Sequence, residues 1–296
     1  MGIKQRALPW VLASRPFSLT ASVAPVLVGS ALAFRAGGFD VVRFLLVLVG
    51  SVLVQVGTNL VDEYADHLRP AGEHKLPAPY KVIARGMLSP GEVRAGALAA
   101  FGLAALIGLY LVLTTGWPLL ALCLASLGAA YFYAGGPRPL GDLGLGWPLV
   151  FVFMGPVMVA GSYYALTGRF SAEGWLFGVP VGCLVTAILA ANDLRDFEED
   201  LAAGRTTPVV RFGLKFGRLA WTFLVGGAFI CLAILAFSFG PALLLPLTAA
   251  VPAVQTARQV WSARTRPERA AVLPRTAVLH GWLGLLTAAG LAAGGA

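Results

Sequence analysis

The chain has 296 residues, of which 58% are hydrophobic and 12% are charged, and its mean hydropathy is +0.79. Soluble chains average about 45–50% apolar and about 25% charged residues, so this length is no evidence for soluble domains. The net charge of +8 needs no nucleic-acid partner, because the cytoplasmic loops of membrane proteins carry excess Lys and Arg.

Apolar segments follow one another along the whole chain, and a helix across a bilayer needs about 20 mostly apolar residues. Nine such segments cover residues 18–34, 44–61, 95–114, 117–134, 146–166, 173–191, 219–238, 241–257 and 276–294. We therefore predict an all-α, polytopic membrane protein with nine transmembrane helices, in which residues 1–296 form one domain. The segments around Pro118 and Pro241 are expected to be kinked or paired by tight turns.

The basic residues predict the orientation of these helices. Of the 22 Lys and Arg residues, 19 lie before the first segment or in the second, fourth, sixth and eighth connections, and the exceptions are Arg35, Arg43 and Arg169. The positive-inside rule then puts the N-terminus in the cytoplasm and the C-terminus on the opposite side. The cell inner membrane is the expected location.

The acidic residues are few, and most of them lie in two clusters. The first cluster follows the second segment, and the second cluster follows the sixth segment, on the same predicted cytoplasmic side. Their members are Asp62, Glu63, Asp66 and Glu73, and then Asp193, Asp196, Glu198, Glu199 and Asp200. Charges at a membrane-embedded helix end are costly and usually mark function.

The spacing within each cluster indicates a cation site. Asp62 and Asp66 are four residues apart, as are Asp196 and Asp200, so each pair shares one face of a helix and its like charges repel. Mg²⁺ prefers carboxylate, phosphate and water oxygens, and it neutralises the charge that develops on a leaving diphosphate. The alternative is a solvated helix end of mixed charge, as in the neighbours Arg195 and Asp196.

Six motifs occur in an order and spacing that resemble the UbiA superfamily of intramembrane aromatic prenyltransferases, and most closely its MenA branch. They are RPFSLTASVAPVLVGSALA at Arg15–Ala33, TNLVDEYAD at Thr58–Asp66, KVIARGMLSPGEV at Lys81–Val93, YFYAGGPRPLGDLGLG at Tyr131–Gly146, FMGPVMVAGSYY at Phe153–Tyr164 and ANDLRDFEEDLAAGRTTPVVRFG at Ala191–Gly213.

The resemblance implies a helical bundle around a lipid-accessible cavity, and an Mg²⁺-dependent enzyme of the bilayer. Its substrates would be a polyprenyl diphosphate and an aromatic acceptor, which in the MenA branch is 1,4-dihydroxy-2-naphthoate, used in menaquinone synthesis. The implied metal ligands are Asp62, Glu63, Asp66, Asp196 and Asp200, of which the four aspartates count as catalytic. The implied substrate-binding residues are Arg15, Asn59, Lys81, Arg85, Tyr133, Arg138, Asn192, Arg195 and Arg205.

Several positions depart from the family pattern. The first motif usually has the form Asn-Asp-x-x-Asp, of which only Asp66 is a strict match, and Glu73 is the nearest counterpart of a later aspartate. Asp193 stands where the second residue of an Asn-Asn pair is usual, and Trp147 stands where Glu often follows Gly-Leu-Gly. The change at Trp147 leaves the acceptor less certain than the prenyl donor.

Aromatic faces can stabilise an allylic cation through their quadrupole. The candidates are Tyr131, Phe132, Tyr133, Phe151, Phe153, Tyr163 and Tyr164, for each of which packing or a membrane-interface position is the alternative.

Two other protein classes also place acids in membranes. Transporters bind substrates near the bilayer midplane, whereas these acids lie at helix ends. CDP-alcohol phosphotransferases carry Gly after paired aspartates, whereas His67 follows Asp66 here. Within the superfamily, 4-hydroxybenzoate, homogentisate, a glyceryl phosphate and haem remain possible acceptors.

Overall fold

The structure is a computed structural model that describes residues 3–68, 80–134 and 139–294. Within these ranges the elements are helical and none is a β-strand, which confirms the all-α prediction. The α-helices are α1 Ile3–Ala13, α2 Thr20–Arg35, α3 Val41–Leu68, α4 Pro90–Thr115, α5 Trp117–Ala134, α6 Gly146–Val152, α7 Met158–Thr167, α8 Ala172–Arg195, α9 Phe197–Ala202, α10 Pro208–Phe239, α11 Ala250–Ser262, α12 Arg266–Ala270 and α13 Val272–Ala293. Shorter turns of 3₁₀-helix cover Pro16–Leu19 and Pro241–Ala249, and a π-helix covers Phe153–Val157.

Seven helical stretches of the described residues are long and apolar enough to cross a membrane. They are Pro16–Arg35, Val41–Leu68, Pro90–Thr115, Gly146–Thr167, Ala172–Arg195, Pro208–Phe239 and Arg266–Ala293. The expectation of an integral membrane protein is confirmed by these stretches, but nine crossings are not. The segment predicted at 117–134 is a shorter apolar helix. The segment predicted at 241–257 is divided between 3₁₀-helix and α11, with Pro246 inside, and proline removes a backbone donor from a helix.

Close packing in the middle of the bundle depends on glycine. The π-helix crosses α8 so tightly that a Cβ atom on Gly155 would lie 2.5 Å from the Cα of Gly182, and one on Gly182 would lie 2.7 Å from the carbonyl oxygen of Phe151. Small residues allow such approaches between membrane helices. By contrast, Leu113 and Phe237 are largely exposed, as expected of side chains that face lipid.

Several helices extend beyond their predicted apolar segments on the charged side. Helix α3 continues past residue 61 to Leu68, and α10 begins at Pro208 instead of near residue 219. Helix α8 ends at Arg195, because Asp196 adopts φ −94° and ψ 10° before α9 begins. The extension of α3 puts Asp62, Glu63 and Asp66 of the first acidic cluster on a helix, where their side chains have defined directions.

Candidate active site

Two carboxylates of the first acidic cluster are held by basic side chains from other segments. Arg15 Nη1 donates a hydrogen bond to Asp62 Oδ2 at 2.7 Å. Lys81 Nζ contacts Asp66 Oδ2 in a close ion pair. The Asp62 side chain is 51% exposed, so a ligand can reach it. The fold thus brings together four of the predicted site residues, Arg15, Asp62, Asp66 and Lys81.

The backbone at Arg15 is strained and is held in place by Asn59. Arg15 has φ 49° and ψ 70°, and it is the non-glycine residue with positive φ in the described chain, a conformation disfavoured for L-residues. Asn59 Nδ2 donates to the carbonyl oxygen of Ser14 at 2.7 Å and to Ser18 Oγ at 2.8 Å. The buried amide therefore fixes the turn that aims Arg15 at the first cluster.

Glu63 is buried at the end of α3 and shares Lys81 with its neighbour Asp66. It is 2% exposed, it accepts a hydrogen bond from the backbone N–H of Ile83 at 3.1 Å, and Lys81 Nζ lies 3.7 Å from its second carboxylate oxygen. These contacts anchor the segment 80–88, which carries Lys81 and the exposed Arg85, to the end of α3.

Arg195 organises the second cluster. Its Nε and Nη2 atoms donate to the two carboxylate oxygens of Asp196 at 2.8 and 2.5 Å, and Nη2 also donates to Asn192 Oδ1 at 2.7 Å. A guanidinium that engages both oxygens of a carboxylate fixes its orientation as well as its charge.

Asp200 lies on the adjoining turn and pairs with Arg205. Arg205 Nη1 lies 3.1 Å from Asp200 Oδ1, and its Nε lies 3.1 Å from Asp142 Oδ1. Burial raises the pKa of the Asp200 carboxyl above its usual value, and the Arg205 charge acts in the opposite direction. Asp142 was not among the predicted site residues, although it lies inside the motif Tyr131–Gly146.

Tyr80 connects the two clusters. Its ring lies under the Arg15 guanidinium, with 4.9 Å between the guanidinium carbon and the ring centroid. Its hydroxyl accepts a hydrogen bond from Arg195 Nη1 at 3.3 Å. Tyr80 was not among the predicted site residues, and its place next to Lys81 is the one feature of the sequence that points to it.

A third basic segment, around α12, also faces the second cluster. Arg266 Nη2 lies 2.5 Å from Glu199 Oε1 and 3.9 Å from Asp196 Oδ1. Arg269 is only 3% exposed, and its Nη2 donates to Glu198 Oε2 at 2.6 Å. From the sequence, both arginines were expected only to contribute to the positive charge of a cytoplasmic loop.

The aromatic candidates are spread over the bundle. Tyr131 and Phe132 are exposed, whereas Tyr163 and Tyr164 are buried toward the end of α7 that is remote from Gly146, with Tyr164 stacked on Phe170. Tyr133 is half-buried, and its ring packs beside the start of α6, where a Cβ atom on Gly146 would lie 3.1 Å from Tyr133 Cε2.

Two predicted residues lie outside the described ranges. These are Arg138 and Glu73, so their roles stay predictions.

The metal-binding prediction can be compared with the donor atoms present. In residues 3–68, 80–134 and 139–294, no three His, Cys, Asp or Glu side chains come together as a metal-binding group. Mg²⁺ commonly uses one or two carboxylates and completes its shell with phosphate oxygens and water. Asp62 and Asp196 each carry such a carboxylate, and here these pair with Arg15 and Arg195. The residue types fit a divalent ion that arrives with a phosphorylated ligand, whose phosphate oxygens would take over the arginines.

The sequence model of the UbiA prenyltransferase family matches residues 22–280. The chain is 32% identical over 267 residues to the 1,4-dihydroxy-2-naphthoate octaprenyltransferase of Mycobacterium tuberculosis, which covers 90% of this chain and 91% of the relative. It is 34% identical over 206 residues to the Bacillus subtilis protein of the same name, covering 70% of this chain and 66% of that relative, slightly under two thirds.

A solved structure shares the fold. It is that of a UbiA homolog from Archaeoglobus fulgidus bound to DMAPP and Mg²⁺, with a TM-score of 0.58 and 14% identity, and the match covers 96% of this chain and 97% of that chain.

Proposed function

The chain belongs to the UbiA prenyltransferase family, and we propose that it transfers a polyprenyl chain from a prenyl diphosphate to an aromatic acceptor, with 1,4-dihydroxy-2-naphthoate in menaquinone synthesis as the favoured acceptor. The observation that carries this proposal is the joining of two acidic clusters through Arg15, Tyr80 and Arg195. Relatives of 32% and 34% identity are named for that reaction, which supports the choice of acceptor.

The basic residues would bind the diphosphate. Arg15, Lys81, Arg195 and Arg205 each form an ion pair with a carboxylate of the site, so their charged groups already point toward one region. Arg205 and Arg195 suit phosphate oxygens because a guanidinium donates in a planar fork. Arg85, Arg138 and Asn192 are proposed to assist from the surrounding segments.

The aspartates would hold Mg²⁺ together with the diphosphate. Asp62, Asp66, Asp196 and Asp200 are the proposed ligands, and the buried contacts of Glu63 favour an anchoring role for that residue instead. The ion, when bound, neutralises negative charge on the leaving diphosphate. The proposal that prenyl transfer by this chain depends on Mg²⁺ is supported by the solved structure of the UbiA homolog bound to DMAPP and Mg²⁺.

The remaining groups would protect and direct the allylic cation. Tyr133, half-buried beside the start of α6, can offer its ring face to a positive charge and is the proposed aromatic stabiliser. The apolar helices that surround the site would exclude water, which otherwise quenches the cation. The prenyl tail is proposed to lie in a lipid-accessible cavity within one domain that spans the chain.

The membrane arrangement belongs to the same proposal. Residues 117–134 and 241–257 are proposed to complete nine crossings, because the alternation of basic residues requires both. The N-terminus and the site would then lie on the cytoplasmic side of the inner membrane, and the C-terminus would lie on the other side.

The decisive experiment compares prenyl transfer by the purified protein and its Asp66→Ala and Asp196→Ala variants, at increasing Mg²⁺. Both variants should lose Mg²⁺-dependent transfer while they retain the thermal unfolding temperature of the wild type. Asp40→Asn is the matched control, since Asp40 lies before α3 at the opposite helix end and bonds the Arg43 N–H. Unchanged turnover in either alanine variant would refute the assignment.

The acceptor is tested separately. One labelled prenyl diphosphate is supplied with 1,4-dihydroxy-2-naphthoate, 4-hydroxybenzoate, homogentisate and glyceryl phosphate, and each product is identified by mass. Product formed only from an acceptor other than the naphthoate would reassign the acceptor and leave the reaction type intact. Solute flux into vesicles without any prenyl product would favour a transporter.

A further inference from the structure

Trp147 and Asp193 form a direct contact between α6 and α8. Trp147 Nε1 donates a hydrogen bond to Asp193 Oδ2 at 2.8 Å. The indole also stacks on Phe216 of α10, with 6.0 Å between ring centroids and 15° between ring planes. Asp193 is 5% exposed. The indole is therefore fixed on one side by an aromatic ring and on the other by a buried carboxylate.

Asp193 differs from the neighbouring acids in its partner. Asp196 pairs with Arg195, and Asp200 pairs with Arg205. In the described part of the chain Asp193 makes no ion pair, and its hydrogen-bond donor is an indole. A buried carboxylate without a cation is costly, and such a charge inside a membrane helix indicates a functional group.

The position of Asp193 places it deeper than the other aspartates. Asp193 lies in the last turn of α8, Asp196 lies at the break between α8 and α9, and Asp200 lies in α9. At about 1.5 Å per residue, Asp193 lies about 4.5 Å below Asp196 along the helix. A diphosphate between the outer aspartates would leave the depth of Asp193 for the reacting carbon and the ring that attacks it.

Aromatic surface surrounds this carboxylate. The Tyr133 ring packs against the start of α6, where a Cβ atom on Gly146 would lie 3.1 Å from Tyr133 Cε2. Trp147 is the next residue, so two aromatic side chains flank Gly146. One carboxylate among aromatic faces is complementary to an aromatic ring that bears a hydroxyl group.

The two residues are also the two departures from the family pattern at this depth. The pattern often has Glu at the position of Trp147 and usually has Asn at the position of Asp193. Here an indole donor and a carboxylate acceptor occupy those positions and contact each other.

We propose that Asp193, oriented by Trp147, accepts a hydrogen bond from a hydroxyl group of the aromatic acceptor and thereby fixes the orientation of the attacking ring. The inference rests on the proposed function and names a specificity-determining residue for it. A carboxylate that accepts this hydrogen bond also increases electron density in the ring, which favours attack on the prenyl carbon.

The test measures acceptor binding by calorimetry under anaerobic conditions, with 1,4-dihydroxy-2-naphthoate and its 1,4-dimethoxy analogue as ligands. The wild type should prefer the dihydroxy compound, and Asp193→Asn should weaken its binding by about 10- to 100-fold, the range for a hydrogen bond to a charged group. The dimethoxy analogue should bind both proteins equally. Trp147→Phe keeps the ring but removes the donor, and it should cause a smaller loss, about 3- to 10-fold.

Glu173→Gln is the matched control, because it removes a carboxylate from the opposite end of α8. The KM for prenyl diphosphate and the Mg²⁺ requirement should stay unchanged in every variant. If Asp193→Asn does not fold, as judged by thermal unfolding, Trp147→Phe carries the test alone.

Three results would overturn the inference. They are an unchanged preference for the dihydroxy ligand in Asp193→Asn, a shift in the Mg²⁺ requirement with unaltered acceptor binding, and the absence of acceptor binding by the wild type. A wild type that binds the acceptor through Asp193 but forms no product would uphold the inference and refute the proposed function.

Discussion

Replacing Asn59 by Asp distinguishes two roles for that residue. The family resemblance makes Asn59 a substrate-binding or auxiliary metal-binding group, which would act through its amide oxygen. In the structure the amide nitrogen donates to the Ser14 carbonyl oxygen at 2.7 Å and to Ser18 Oγ at 2.8 Å, and the amide oxygen accepts from Gln55 Nε2 at 3.3 Å. Asn59→Asp keeps the shape and the oxygen but removes both donated hydrogen bonds.

The cost follows from these contacts. Each lost hydrogen bond contributes about 0.5–1.5 kcal/mol, and the new carboxylate would face the Ser14 carbonyl oxygen across the same short gap. The sum is about 2–4 kcal/mol, which corresponds to a fall in Tm on the order of 10 °C. Asn59→Ala loses the same bonds without adding a charge, so its effect should be smaller.

The assay is thermal unfolding in detergent, followed by an Mg²⁺ titration of prenyl transfer. Asn59→Asp should unfold earlier than Asn59→Ala, and it should raise the KM for prenyl diphosphate because the Arg15 turn is no longer held. A variant with the stability of the wild type and a lower Mg²⁺ requirement would refute the anchoring role and support metal ligation by residue 59.

Two further predictions concern a bridging side chain and a helix crossing. Tyr80→Phe keeps the ring but loses the hydroxyl that Arg195 contacts, so the KM for prenyl diphosphate should rise about threefold. In Tyr80→Ala the KM should rise about tenfold or more. If steady-state kinetics give both variants the KM of the wild type, Tyr80 does not bridge the clusters. Gly182→Val should lower stability by about 1–3 kcal/mol or more, since its Cβ would crowd the Phe151 carbonyl oxygen. Gly226→Val in α10 meets open space and should leave the unfolding temperature unchanged; equal losses in both would refute the packing argument.

Hydropathy and charge predicted the membrane class and seven of the spans, because both depend on residue type alone. They could not settle the segments near Pro118 and Pro241. The first is an uninterrupted but short apolar helix, α5, and the second is a 3₁₀-helix with Pro246 inside, followed by α11. They also ended α3 at residue 61, since the acidic residues that follow are polar, although the helix continues to Leu68. Residue composition indicates how favourably a segment transfers into lipid, whereas the length of a helix depends on its backbone hydrogen bonds.

Site residues could be predicted where their spacing along the sequence indicates a shared helix face, as for Asp62 and Asp66. It was not predictable where a contact joins distant segments. Arg269 is separated by 71 residues from Glu198, its hydrogen-bond partner, and nothing in local sequence pairs them.

The positive-inside rule explains why arginines are frequent on the charged side, but it does not explain where Arg266 and Arg269 lie. A residue that served only membrane orientation would be expected in solvent or among lipid headgroups, whereas Arg269 is almost fully buried. Arg266 reaches Glu199 and Asp196 from the same short segment. The α12 segment therefore balances charge at the second cluster, in addition to any role in orientation. Removing carboxylates from that cluster should consequently leave uncompensated cations as well as lost ligands, which is why amide variants and unfolding measurements belong beside every activity assay of these aspartates.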